Sequence, residues 1–301
     1  MTMTTIHEQA AVLALTRATH DKPWFHTARV ILDSGSALRL LDGGYTGRDE
    51  DDQAHAAAVA TRVRPGHLAW GRDLIAAMRA EGVDLVTVLD GTYPGNLIWA
   101  YDRPPFLWVR ERFQAGDHRA VAVIGEDDIS HAAAAAQALA EAGLVVVAPL
   151  RTRLDAAVHQ AALAAGGRTV AVLAGGIAEP ATYGEYANVA KRIAERGAIV
   201  SPFWPRSVPI GGSDAFASAV TCGLADCLYV VDGADGGPSC GHVEEALRIG
   251  THVLASQRLH QEQPWVERAA SRGGMTAVRD IDDLCEQAVN LVDMASPTNT
   301  C

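Results

Sequence analysis

The sequence predicts an α/β fold, a doubly wound and mostly parallel sheet with a small N-terminal helical domain. Residues 119–256 alternate short apolar runs with helical patterns, which is typical of repeated strand–helix–strand units. Most runs are continuous in Val, Ile, Leu and Ala, as expected for strands covered on both faces. The chain has 301 residues, 49% of them hydrophobic and only 6% aromatic, which favours small-residue helices packed closely on a sheet.

The N-terminal region predicts helices rather than strands. Apolar residues recur at helical spacing over residues 7–42, and the pattern breaks at 21–23 and at 34–36. Residues 43–65 begin polar and acidic and then become alanine-rich, which indicates a linker or a weakly packed helical segment. The predicted domains are a small helical domain with its linker, residues 1–65, and the sheet domain, residues 66–301.

The sheet domain is predicted to open with a helix over 68–82, a strand over 83–90 and an edge strand within 102–110. The central strands are predicted at 120–124, 144–148, 169–173, 198–200, 227–231 and 252–255. The helices are predicted at 130–142, 154–165, 185–196, 214–224 and 241–249, with a last helix at 280–292 and a frayed tail.

Ligands of such sheets bind beyond the carboxyl ends of the strands, so the turns after the strands are the candidate site. The first turn has Gly125 for a tight bend, followed by Glu126, Asp127 and Asp128. These carboxylates suit a helix dipole but repel a phosphate. We therefore favour an acidic helix cap, with Ser130 as a further capping residue, over a catalytic or metal-binding role.

The second turn is basic. Arg151 and Arg153 stand just before a helix, where two guanidinium groups can hold a phosphate or pair with the acids of the first turn. Asp155 and His159 are one helical turn apart, and we favour a structural hydrogen bond between them over a catalytic pair.

The third and fourth turns offer weaker signals. Gly175 and Gly176 permit close backbone approach, and the following Tyr183 and Tyr186 either stack on a base or pack internally. Arg206 follows two aromatic residues at the rim of the expected site.

The fifth turn, residues 232–242, is glycine-rich and opens a helix, which is the usual cradle for an anion. The candidate ligand-binding residues in this turn are Gly237, Ser239, Gly241 and His242. The chain lacks a G-K-[ST] phosphate loop, a G-x-G-x-x-G fingerprint and a G-x-S-x-G elbow.

The composition argues against a general nucleic-acid binder, because the formal net charge is -11. A local basic patch is compatible with that charge. The five cysteines contain no CxxC pair, so we predict free thiols, no metal site and no cofactor. With no signal peptide and no apolar run of membrane-spanning length, we expect a cytoplasmic protein without membrane contact.

The order of motifs from about residue 68 to 257 resembles the DNA-processing protein A family (DprA, also called Smf). This family belongs to a Rossmann-like group that includes the Lonely Guy phosphoribohydrolases. The lead-in residues that match are Val86, Asp90, Tyr93, Pro94, Leu97, Pro104, Pro105, Leu107, Val109 and Arg110. The central motif, LAEAGLVVVAPLRTRLDAAVHQAALAAGGRTVAVLAGGI, and the later segments AKRIAERGAIVS and GLADCLYVVDG also follow in register.

The resemblance implies a Rossmann-like sheet that binds single-stranded DNA, helps load a recombinase and forms a homodimer. The departures fall on the residues that would hold DNA. The family's G-S-R is Gly125-Glu126-Asp127 here, and the arginine of its G-x-A-R-G-I-D is displaced within 149–155. Its R-N-R reads Ala217-Ser218-Ala219, and its S-G-S-x-x-T keeps one serine within 237–242. The framework is kept and the basic anion site is largely lost.

A second comparison concerns the fifth turn. The Lonely Guy motif P-G-G-x-G-T-x-x-E is matched at Gly241 and Glu245, while His242 replaces the threonine. A catalytic Glu245 would stabilise a ribosyl cation during cleavage of an N-glycosidic bond in a nucleotide. A solvated helix glutamate is the favoured interpretation.

Three hypotheses follow. The first is a non-enzymatic, divergent DprA-like DNA-processing or recombination-mediator protein whose single-stranded DNA binding is weakened or lost. The cations that would support it are Arg151, Arg153, Lys191, Arg192 and Arg206. The second is a binding protein or hydrolase for a nucleotide-type ligand, using residues 232–245. The third is a partner-binding role with an inactive pocket. The resemblance favours the first, and the charge pattern favours the other two.

Overall fold

The computed structural model describes residues 4–19, 22–44 and 49–295. The chain divides into two compact units. The first comprises Met1–Tyr93 and Tyr101–Arg110, and the second comprises Pro94–Ala100 and Glu111–Cys301.

The first unit is built around one buried helix. Its elements are α1 (Ile6–Ala18), α2 (Trp24–Ser34), α3 (Ala37–Leu41), α4 (Glu50–Arg62), α5 (Pro65–Ala80), β1 (Asp84–Thr87) and β2 (Phe106–Arg110), with β1 and β2 antiparallel. Helix α1 packs against α5, and Gly71 of α5 lets the backbone of Ala10 approach closely. The segment predicted as a linker or weakly packed helix contains α4, which buries Ala56 and Val59.

The second unit is a parallel sheet with helices on both faces. Its strands are β3 (Ala120–Ile124), β4 (Val145–Pro149), β5 (Thr169–Val172), β6 (Ala198–Ser201), β7 (Cys227–Val230), β8 (His252–Ser256) and β9 (Met275–Val278). Its helices are α6 (Gly95–Ile98), α7 (Ile129–Glu141), α8 (Arg153–Ala164), α9 (Pro180–Tyr183), α10 (Ala187–Arg196), α11 (Ser213–Gly223), α12 (Pro238–Ile249), α13 (Gln257–Glu262), α14 (Pro264–Ala270) and α15 (Ile281–Ala295).

The strand order in this unit is β6-β5-β4-β3-β7-β8-β9, and every neighbouring pair is parallel. The chain runs outward from β3 to β6 and then returns to place β7 on the other side of β3. The topological switch point therefore lies between β3 and β7, where ligands of doubly wound sheets bind.

Small residues allow close packing on the sheet. Ala132, Ala135 and Ala136 of α7 are fully buried in the same cluster as Val121 and Val146. Helices α8, α10 and α15 continue this face, while α11 packs against α12. Gly167 is required at the end of α8, because a Cβ there would lie 2.6 Å from the Cβ of Ala140.

The fold class predicted from the sequence is confirmed, and strands β3 to β8 lie where they were predicted to within a residue or two. Strand β9 and the short helices α13 and α14 were not predicted. Since α5 packs on α1, the first unit extends beyond residue 65. A separate folding domain ending at residue 65 stays a prediction, and the predicted frayed tail lies largely outside the described residues.

Within the described ranges, no helix combines the length and apolarity needed to cross a bilayer. The four cysteines that fall in those ranges are free thiols, and Cys222 and Cys227 are fully buried. Burial raises the pKa of the Cys227 thiol to about 12. Cys222 and Cys227 are therefore packing groups.

Candidate functional site

A cleft of about 530 Å³, counting space open to solvent, lies beyond the carboxyl ends of β3, β4 and β5. Its lining brings together four of the predicted ligand-binding residues, Gly125, Arg151, Ser239 and His242. Half of the other lining residues are apolar side chains at the strand ends and on α11: Ile124, Pro149, Val172, Ala174 and Ala217. The remaining predicted residues, Arg153, Gly175, Gly176, Arg206, Gly237, Gly241 and Glu245, do not line it.

The amide groups of the first turn are occupied by a carboxylate of the protein itself. Asp232, the second residue after β7, accepts the backbone N–H of Glu126 at 2.7 Å and those of Asp127 and Asp128 at 2.9 Å. Three convergent N–H groups at the start of α7 form an anion-binding nest. The first turn therefore carries three acidic side chains of its own and also binds the Asp232 carboxylate through its backbone.

Backbone amides of the fifth turn are likewise bound by a carboxylate of the protein, in this case one from the first turn. Glu126 places its carboxylate against the glycine-rich loop and accepts the N–H of Ser239 at 3.0 Å and that of Ala234 at 3.2 Å. These N–H groups lie at and before the N-terminus of α12, where the helix dipole favours negative charge. The two loops therefore exchange carboxylates: Asp232 serves the first turn and Glu126 serves the fifth.

The glycines of both turns make this exchange possible. A Cβ on Gly125 would lie 2.6 Å from Oδ1 of Asp232, and a Cβ on Gly237 would collide with the Glu126 carboxylate. A Cβ on Gly233 would lie 2.5 Å from the Cβ of Ser239. These glycines accommodate the protein's own carboxylates, whereas the sequence had suggested an external ligand at Gly125 and Gly237. Gly241 is exposed, with no atom near its missing Cβ.

The acidic cap of α7 is Asp128. Its side chain accepts the N–H of His131 at 3.1 Å and forms an ion pair with Arg258 at 3.0 Å. The expectation that Ser130 would cap this helix is wrong, because the helix begins at Ile129 and Ser130 already lies inside it. The preference for an acidic cap is confirmed for Asp128.

The basic second turn is neutralised in part by an acid from α11. Arg151 forms an ion pair with Asp214, not with the acids of the first turn. Thr152 and Asp155 form a reciprocal capping box at the start of α8, and Asp155 also accepts the N–H of Arg151 at 3.0 Å. Arg153 is exposed at the first position of α8.

The predicted hydrogen bond between Asp155 and His159 is wrong. His159 is fully buried, its Nε2 lies 2.9 Å from the Pro149 carbonyl, and its Nδ1 lies 2.7 Å from the Thr169 hydroxyl. Burial lowers the pKa of His159, which favours the neutral ring donating from Nε2 to the carbonyl. This histidine fastens α8 to the sheet and does not face the cleft.

The third turn packs against the fourth. A Cβ on Gly176 would collide with the backbone of Pro205, and one on Gly175 would lie 2.6 Å from the Thr182 hydroxyl. The close approach predicted for these glycines is thus made by the protein's own loop. Arg206 is exposed, with its Nη1 3.5 Å from the Ala178 carbonyl.

The two tyrosines are both half-buried but differ in the group that accepts their hydroxyl proton. Tyr183 donates to the Ile177 carbonyl at 2.7 Å, whereas Tyr186 donates to Glu185 at 3.0 Å. The pKa of Tyr186 is raised by loss of solvent contact and by Glu185, and the positive charge of nearby Arg153 opposes that rise. The hydroxyl of Tyr186 is thus within electrostatic range of Arg153, which is exposed.

The polar side chains of α12 differ in burial and in their hydrogen-bond partners. Ser239 is 2% exposed and its hydroxyl has no hydrogen-bond partner among the described residues. His242 lines the cleft, hydrogen-bonds the Pro238 carbonyl through Nδ1, and has its pKa lowered by burial. Glu245 forms a two-point ion pair with Arg248, which does not favour the proposed catalytic role.

Asp232 lies within the turn predicted for the site but was not among its candidate residues, and Asp214 was not predicted at all. The only signal for Asp232 was its position directly beyond a strand that neighbours β3, and nothing in the local sequence indicated Asp214. Among the described residues, no cluster of three or more His, Cys, Asp or Glu side chains is arranged to hold a metal ion.

Comparison with known proteins places this geometry in context. The family described as DNA recombination-mediator protein A matches residues 84–294. DNA processing protein DprA of Bacillus subtilis is 24% identical over 213 residues, which cover 68% of this chain and 70% of that protein. DprA of Streptococcus pneumoniae is 28% identical over 178 residues, which cover 56% of this chain and 61% of that protein.

Two solved structures share the fold. The structure of Streptococcus pneumoniae DprA gives a TM-score of 0.67 at 20% identity and covers 95% of this chain and 99% of its own. The structure of Helicobacter pylori DprA, described in terms of its single-stranded DNA binding mode, gives a TM-score of 0.56 at 16% identity. It covers 69% of this chain and 96% of its own.

Proposed function

The chain belongs to the DNA recombination-mediator protein A family, and from this premise we propose that it is a divergent DNA-processing protein that binds single-stranded DNA weakly. The match over residues 84–294 is the observation that carries this proposal. The described binding of single-stranded DNA by the Helicobacter pylori relative supports the ligand class. The internal carboxylates of the first and fifth turns support weak binding, because they add negative charge where a DNA phosphate would approach.

We assign the DNA contact to a basic strip formed by Arg153, Tyr186, Lys191 and Arg192. The three cations are exposed, and α8 and α10, which carry them, pack side by side. Tyr186 stands just before α10 and supplies a ring on which a base can stack. Arg151 is excluded from the strip because Asp214 already pairs with it. Arg206 lies beyond β6 as a further exposed cation.

The test is fluorescence anisotropy of a labelled single-stranded oligonucleotide at low and moderate salt. We expect micromolar binding that weakens as salt rises, since counterion release dominates such contacts. Arg192→Glu should abolish the binding at moderate salt. The matched control is Arg272→Glu, which makes the same charge change at an exposed arginine before β9. Equal binding by both variants, or no binding by the unaltered protein at low salt, would overturn this assignment.

The resemblance also supports a recombinase partner, a homodimer and a cytoplasmic location. Light scattering on the purified protein tests the dimer, and a pull-down with a bacterial recombinase in the presence and absence of DNA tests the partner. A monomer at micromolar concentration, or no recombinase retained in either condition, would contradict these proposals.

A further inference from the structure

We propose that Glu126 and Asp232 are the internal ligands of an anion site at the switch point, and that they exclude phosphate from it. The site is made by backbone amides of two helix starts. Asp232 occupies the amides that precede α7, and Glu126 occupies those of Ala234 and Ser239 around the start of α12. Such amide groups bind phosphate or sulfate when no protein carboxylate fills them.

An unused donor shows that the cradle is only partly filled. Ser239 lines the cleft, and its hydroxyl is buried and has no partner in the described part of the chain. A Cβ on Gly233 would lie 2.9 Å from this hydroxyl and 3.2 Å from Oε1 of Glu126, so both atoms flank one small space. A phosphate in place of Glu126 would offer more acceptor oxygens than a carboxylate, enough to take this hydroxyl as well as the amides.

The charges around the cleft oppose entry of a phosphate. Its lining contains one arginine, Arg151, and two acids, Asp155 and Asp214. Arg151 is paired with Asp214. Glu126 and Asp232 add two further acids next to this lining, so an incoming phosphate meets net negative charge and occupied amides. The exclusion of phosphate thus depends on Glu126 and Asp232. It does not depend on whether the protein binds DNA.

The test compares inorganic phosphate binding to the unaltered protein and to Glu126→Ser by calorimetry. We expect Glu126→Ser to bind phosphate at least about tenfold more tightly, because it frees two amides and removes one repelling charge. The matched control is Glu244→Ser, which removes the same charge from the exposed side of α12 and should bind like the unaltered protein. Adding Ser239→Ala to Glu126→Ser should reduce the gain, because it removes the hydroxyl that the phosphate would use besides the two amides.

An NMR titration of the unaltered protein and an oligonucleotide titration of the variants complete the test. In the unaltered protein, the amide NMR signals of Ala234 and Ser239 should not move when phosphate is added, whatever the variants do. Movement of those signals, or equal phosphate affinity in folded Glu126→Ser and Glu244→Ser, overturns the proposal. A labelled oligonucleotide distinguishes the source of the phosphate. A gain with inorganic phosphate alone indicates a site for free phosphate, and a gain with both indicates that the DNA backbone reaches it.

Discussion

Glu126 donates its backbone N–H to the Asp232 carboxylate at 2.7 Å, and its own side chain accepts the N–H of Ser239 in the first turn of α12, the helix that follows the Asp232 loop. Each residue therefore supplies the anion for the other residue's loop. The two loops leave neighbouring parallel strands, β3 and β7. The exchange stabilises the switch point without a bound ligand.

Replacing Asp232 with Asn should lower the free energy of unfolding by about 1–3 kcal/mol. The amide has one acceptor oxygen where the carboxylate has two, and its NH₂ group would face an N–H donor of the first turn. Urea denaturation followed by circular dichroism measures the change.

The control for this substitution is Asp235→Asn on the same loop. Asp235 is exposed and forms an ion pair with an exposed arginine, Arg268, so its removal should change stability by less than about 0.5 kcal/mol. If the two variants lose the same stability, the Asp232 carboxylate does not hold the first turn.

Replacing Asp214 with Asn should strengthen binding of single-stranded DNA about fivefold, because it releases the guanidinium of Arg151. The dependence of log affinity on log salt should steepen by about 0.7, the value for one added contact with a single strand. Anisotropy titrations at several salt concentrations give both quantities.

Asp293→Asn serves as the control, since it releases Arg119 from a comparable surface pair. Arg119 directly precedes β3 and so lies at the amino ends of the strands, away from the cleft. An equal gain from this variant would mean that net charge, not the position of Arg151, determines binding.

The strands of the sheet were predictable because burial on both faces requires continuous apolar runs. All five residues of β3 are buried, and the same holds for all four of β7. Strand β9 escaped prediction because it lies at the sheet edge and three of its four residues are only half-buried, so it shows no continuous buried apolar run. Helices α13 and α14, with six and seven residues, are too short to show a helical period.

The sequence predicted a site at the turns beyond the carboxyl ends of the strands, and the cleft lies there, but the pairing within these turns was not predictable. The hydrogen bond between Glu126 and Asp232 joins residues 106 positions apart. It can be inferred only once β3 and β7 are known to be neighbours. Arg151 pairs with Asp214 and not with the acids of the first turn, which are nearer in sequence. This pairing likewise depends on where α11 begins.

Replacing Arg168 with Lys should lower the free energy of unfolding by about 2–4 kcal/mol. Its largely buried guanidinium pairs with both oxygens of Asp117, at 2.5 and 3.0 Å. It also donates to the carbonyls of Arg112, Arg196 and Gly197. A lysine ammonium has three donors and no planar fork, so it cannot reproduce this set.

Thermal and urea unfolding test this prediction, with Arg192→Lys, on the exposed face of α10, as the control. A loss below about 1 kcal/mol for Arg168→Lys would mean that the Arg168–Asp117 pair contributes no more than an ordinary surface ion pair.

Replacing Asp226 with Asn should stabilise the protein at neutral pH and have no effect in acid. Burial raises the pKa of Asp226 to about 6, although its carboxylate accepts the N–H of Ala120 at 3.2 Å. In the unfolded chain the pKa is near its ordinary value of about 3.9. Below that pH the carboxyl is protonated in both states and contributes nothing. As the pH rises to about 6, the unfolded state ionises more readily, so folding is penalised.

The asparagine variant escapes this penalty and keeps an acceptor for Ala120. Its advantage should grow between about pH 4 and pH 6 and then stay constant at about 1–2 kcal/mol, a value reduced for the partial exposure of Asp226. Urea midpoints for the variant and the unaltered protein at several pH values measure it. Asp73→Asn, at an exposed position of α5, should show no such pH dependence. An Asp226→Asn advantage that is equal at pH 4 and pH 7 would show that burial does not raise this pKa, because only a raised pKa makes the difference depend on pH.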